Sequence, residues 1–176
     1  MICYNITKVS LESQDSISFI SRTRICVLEE RALGRRETRE HAMKLLYQIQ
    51  IRKDDLDEQI RTYLEEEQIL ESVERDYLED VVKGVVKNQD EIDELISRHA
   101  RGWTVSRMPK VDLAIMRLSI YEMRYREDIP VNVSINEAVE LAKKYCGEQS
   151  RTFINGVLGK VWSELSQNAG EPGTHE

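Results

Sequence analysis

The sequence predicts an all-α protein, a compact bundle of about seven helices. Three observations lead there. Apolar residues recur at i, i+3, i+4 and i+7 over much of 35–165, and strict alternation is missing. Aromatic residues make up only 6% of the chain, thin material for a sandwich or barrel. Three prolines and eight glycines in 176 residues leave room for long helices. That length suits one domain, or one domain in two packed halves.

Residues 1–34 fit poorly with the rest of the chain. The serine-rich stretch 10–21 has no helical or strand period. The segment reads as a loosely attached, disordered extension, as an upstream start-codon assignment would produce. The first helix is expected over about 35–51, with Ala42, Leu45, Leu46 and Ile49 as its apolar stripe. Arg35, Arg36 and Arg39 cluster on its first turn and a half. Cations there oppose the helix macrodipole, which favours a non-structural use for them. A second helix is expected over 56–67 with Leu56, Ile60, Tyr63 and Leu64 inward. A third covers 74–87, where valine pairs recur every four residues. Gly84 inside it marks a close helix crossing.

Asp90 is expected to cap a fourth helix carrying Ile92, Leu95 and Ile96, and Gly102 to end it. Trp103 should then cover one end of the core. The fifth helix, 110–125, is apolar nearly all round and reads as the buried central rod. After the Ile129–Pro130 turn come two amphipathic helices. Ser134 and Glu137 have the spacing of a capping box at the head of the first. Its apolar face is Ile135, Ala138, Val139, Leu141, Ala142, Tyr145 and Cys146, and Gly147 should end it in the left-handed conformation. Ser150 should cap the second, whose face is Phe153, Ile154, Val157, Leu158, Val161, Trp162 and Leu165. Gly156 reads as a packing notch, and residues 167–176 as a disordered tail.

Charge is distributed unevenly within a net of −7. Residues 35–53 carry six Lys/Arg against two acids, and residues 54–94 carry four against sixteen. A basic segment beside an acidic one suggests two kinds of partner, an anion and a basic protein; a well-solvated helical surface is the plainer alternative. No apolar run reaches the length of a membrane span, roughly 20 residues. Three scattered cysteines form neither a disulfide framework nor a zinc pattern, so a reducing cytoplasm is the simplest compartment.

Catalytic motifs are missing: no phosphate loop, metalloprotease helix, nucleophile elbow or Cys-x-x-Cys occurs. No catalytic residue, metal or cofactor is expected. Binding chemistry is better represented. Arg35, Arg36 and Arg39 suit phosphates, and Arg151 with the helix start at Ser150 suits another anion. Tyr47 and Phe153 offer either rings for base stacking or ordinary core contacts.

Three blocks carry a family resemblance: RRETREHAMKLLYQIQ at 35–50, KVDLAIMRLSIYEM at 110–123 and INEAVELAKKYCGEQSRTFINGVLGKV at 135–161. Together they resemble the NusB family of bacterial transcription antitermination factors, over about 35–165. The resemblance implies an all-helical fold in two packed halves, a NusB-like RNA-binding domain over 35–166. It implies binding of boxA RNA together with the ribosomal protein NusE, within an RNA polymerase antitermination complex that reads through ribosomal RNA operons. It places the RNA-facing residues at Arg35, Arg36, Arg39, Tyr47, Gln149, Ser150, Arg151 and Phe153. The protein partner would meet acids including Asp76, Asp80 and Asp112. Cys146 stands where the family commonly has Gly. Two other readings fit the residues: an accessory RNA-binding domain of the kind fused to ribosomal RNA cytosine methyltransferases, and a protein-only helical scaffold.

Overall fold

In the computed structural model, residues 34–52 and 54–168 are described. They form seven α-helices: α1 Arg35–Ile49, α2 Leu56–Glu66, α3 Ser72–Lys87, α4 Gln89–His99, α5 Lys110–Tyr125, α6 Val131–Tyr145 and α7 Glu148–Asn168. A single 3-10 turn, Val105–Arg107, precedes α5. The expected extension lies outside the described residues, apart from Gly34. So does the expected tail from 169 on, while Gln167 and Asn168 belong to α7.

Helix α5 is the rod about which the rest is built. Every residue from Asp112 to Met123 is buried. It packs against α1 and α3 on one side and against α4, α6 and α7 on the other, which gives the two halves. Leu45, Leu78, Ile92, Leu95, Ile96, Ile115, Met116, Ile120, Ile154 and Leu158 fill the space between these helices and are completely enclosed. The close crossing expected at Gly84 is present. A methyl built there would lie 2.2 Å from the Tyr121 ring, so only glycine lets α3 and α5 approach this closely.

Several local expectations are corrected. Helix α6 begins at Val131, after Pro130, whose fixed φ suits the entry. Ser134 is therefore inside the helix, its N–H bonded to the Pro130 carbonyl, and forms no capping box. Gly147 does not end α6 by a left-handed turn, since Gly102 is the one glycine at positive φ among the described residues. Cys146 ends it in extended backbone (φ −124°, ψ 170°), which any residue adopts, so Cys in place of Gly costs nothing there. Asn88 occupies the N-cap of α4 and Asp90 lies in its first turn. Ser150 likewise lies within the first turn of α7, which starts at Glu148. Gly156 is no notch, because no atom lies within 4 Å of a methyl built on it. Trp103 is 51% exposed and rests tilted on Phe153, with ring centroids 6.1 Å apart.

Candidate nucleic-acid interface

The arginine cluster of α1 divides into two populations. Thr38 and Arg39 face the core, and Arg35 and Arg36 face out. Arg39 is only 6% exposed, and its Nε donates to Glu122 Oε1 at 2.8 Å. Glu122, itself 1% exposed, also accepts from the Tyr77 hydroxyl at 2.5 Å and the Ser134 hydroxyl at 2.7 Å. Ser119 closes the network by donating to the Ser134 carbonyl. A guanidinium held this way is an internal crosslink between α1 and α5. Arg39 is therefore corrected from phosphate ligand to core ion pair: once buried, its charge must be paired inside the protein.

Arg36 behaves differently. Its fork binds both oxygens of Glu137 on α6, each at 2.8 Å, yet 66% of the side chain is open to water. The hydrogen bond from Arg36 holds the Glu137 carboxyl below its ordinary range, against a smaller push from burial. One turn further along α1, Glu40 takes Lys144 at 2.6 Å, Lys44 at 3.1 Å and the Tyr145 hydroxyl. Burial raises the Glu40 pKa, but the hydrogen bonds from Lys144, Tyr145 and Lys44 together outweigh it and bring it to about 2.

These contacts set a register. Arg36 meets Glu137, and Glu40 meets Lys144 and Tyr145, so α1 and α6 run in the same direction where their long side chains meet. Helical spacing puts Glu40, Lys44 and Tyr47 on one ridge. Tyr47, at 37% exposure, lies on this ridge beyond Lys44. Tyr145 is only three residues before Glu148, a span of at most about 11 Å. Gln149 is exposed, Ser150 and Arg151 are half-buried, and Arg151 pairs with Glu148 one turn back. The Arg151 N–H bonds the Gly147 carbonyl, while the N–H groups before it stand at the open, positive end of α7. Phe153 is half-buried under Trp103.

Sequence reasoning missed Lys44, Lys144 and Tyr145 on this surface. The Lys-Lys-Tyr run at 143–145 was the available signal, masked by assigning Tyr145 to the apolar face. It also missed Glu122, a carboxylate within an apolar helix, which only its partners explain.

The acids fall apart too. Asp76 and Asp80 on α3 are exposed, and Asp80 pairs with Arg126 at 2.7 Å. Asp112 is corrected: it is 4% exposed, beneath Cys146, and is not available to a partner protein. Burial, with help from Asp112, pushes the Cys146 thiol up to about 12.

Residues 36–163 match the NusB family. The transcription antitermination protein NusB of Acetivibrio thermocellus is 60% identical over 129 residues, covering 73% of this chain and 88% of its own length. Among solved structures, T. maritima NusB is 34% identical with a TM-score of 0.69, over 75% of this chain and 92% of its own. A chain from a crystal structure of antitermination factors NusB and NusE in complex with dsRNA is 26% identical with a TM-score of 0.68, over 74% and 96%. Among the described residues no helix is long and apolar enough to cross a membrane. An all-helical fold around α5, matched in sequence across both halves, places the conclusion beyond the level of resemblance: the chain belongs to the NusB family.

Proposed function

We propose that this protein is an antitermination factor that binds boxA RNA together with a NusE-type ribosomal protein and promotes read-through of ribosomal RNA operons. The carrying observation is the parallel placement of α1 and α6. In this reading Arg36, Lys44, Lys144, Tyr47 and the start of α7, with Gln149, Ser150 and Arg151, form one RNA-facing surface. Cations there neutralise phosphate, and Tyr47 offers a face to a base. Arg35 extends the cationic rim. Phe153 supports the surface through Trp103. The structural relative that joins NusB, NusE and RNA supports the same pairing of partners.

The protein partner is assigned to the acidic face of α3, through Asp76 and the outer edge of Asp80. Long-range attraction between that face and a basic ribosomal protein steers the encounter. The test is a titration of the chain with a short boxA-like RNA, with and without NusE. Weak binding alone and tighter binding with NusE is expected. No RNA binding in either state would leave a protein-only scaffold as the better reading.

A further inference from the structure

The start of α1, the first half of α3 and the α5–α6 turn enclose a cleft of about 460 Å³. Its lining includes Arg35, Glu74, Asp76, Tyr77, Arg126 and Asp128. Two of these charges are already engaged, with each other. Arg126 binds Asp128 at 2.8 Å and Asp80 at 2.7 Å while lying over the Tyr77 ring, 5.5 Å from its centroid. The Tyr77 hydroxyl donates a hydrogen bond to Glu122.

Among the described residues, Arg35, Glu74 and Asp76 make no such pair, and of the three only Glu74 is withdrawn from water. It is 8% exposed, and its Oε2 is buried without a hydrogen-bond partner. A withdrawn carboxylate oxygen that accepts nothing is costly to keep, and natural structures rarely keep one without use. Asp76 stands two residues away on the same helix and is exposed. Val73, 76% exposed, adds an apolar wall. The missing component is a donor with positive charge and an apolar stem. The cleft already displays how it treats such a group, since Arg126 sits on an aromatic face with two carboxylates around it.

We propose that this cleft is a receptor for an arginine side chain of a protein partner, with Glu74 and Asp76 as its ligands. A planar guanidinium presents N–H donors in a fixed fork that matches a carboxylate, here Glu74, with Asp76 adding negative charge at the rim; a lysine ammonium lacks that fork. The inference deepens the protein-partner half of the proposed function by naming the side-chain class at that face. It does not depend on RNA.

The test uses the full chain and N-acetyl-arginine methylamide as the probe, followed by amide NMR, with N-acetyl-glutamine methylamide as the neutral control. Saturable shifts at Glu74, Asp76 and Tyr77 are expected with the arginine probe alone. Glu74→Gln should weaken them about tenfold, and Asp76→Asn by less. Thermal unfolding supplies a second readout. Because Glu74 satisfies nothing inside the free protein, Glu74→Gln should melt at the same temperature or higher. Equal shifts with the neutral probe, no shifts at the cleft, or a clearly lowered melting temperature for Glu74→Gln would each overturn the proposal. RNA titrations of the same variant, unchanged from the parent, would show that the RNA reading stands or falls separately.

Discussion

Arg39 and Glu122 lie 83 residues apart in sequence and meet at 2.8 Å inside the protein, where both are buried. Their pairing ties the first helix to the central rod, and Tyr77 and Ser134 bring α3 and α6 to the same carboxylate. Four helices thus share one buried anion.

Removing one side of that pair should be costly. Arg39→Ala leaves Glu122 charged and underpaired in the core, and should destabilise the fold by about 3–5 kcal/mol. Replacing both residues with apolar ones of similar volume, Arg39→Met with Glu122→Leu, should cost less than the single change. Chemical denaturation of the three proteins at neutral pH checks this. Arg36→Ala, by contrast, should shift the denaturation midpoint far less, because the Arg36 side chain stands mostly in water.

Glu40 gives the fold a defined acid sensitivity. Its folded pKa of about 2 lies below its ordinary value of 4.5. A depressed carboxylate contributes stability that is fully present above about pH 4.5 and is lost as pH falls from there toward 2. Urea unfolding of the parent and Glu40→Gln should therefore differ at pH 7 and converge near pH 2. The same substitution releases Lys44 and Lys144 from their shared acid, so RNA affinity at neutral pH should rise.

Two glycines in helices should respond oppositely to the same change. Alanine is the better helix former by about 1 kcal/mol. At Gly156 the added methyl meets open space, so Gly156→Ala should stabilise by about that amount. At Gly84 the methyl collides with the Tyr121 ring, and overpacking of about 1–3 kcal/mol should exceed the propensity gain. Thermal melts of the two variants, one raised and one lowered, are the check.

The architecture was legible because periodicity reports burial directly. The bounds of α5 were read at the observed residues, and the tight crossing at Gly84 followed from a glycine in an apolar stripe. Helix ends were less legible. Ser134 and Glu137 have capping-box spacing, but Pro130 starts the helix four residues earlier and turns Ser134 into a buried donor. The arginine cluster shows the same limit at the site. Sequence spacing puts Arg36 and Arg39 close together on one helix, and nothing local says that Glu122, far along the chain, will claim one of them. Asp112 was misread for a similar reason, since its partner Cys146 lies far along the chain, just past the end of α6.

The salt dependence of boxA-like RNA binding, measured with NusE present for the parent, Arg36→Ala and Arg151→Ala, tests the cationic surface most directly. Each lost phosphate contact should flatten the log–log slope by about 0.7. Lower affinity with a flatter slope in both variants is the predicted result. Unchanged slopes in both, with folding intact, would place the RNA elsewhere and contradict the assignment of this surface.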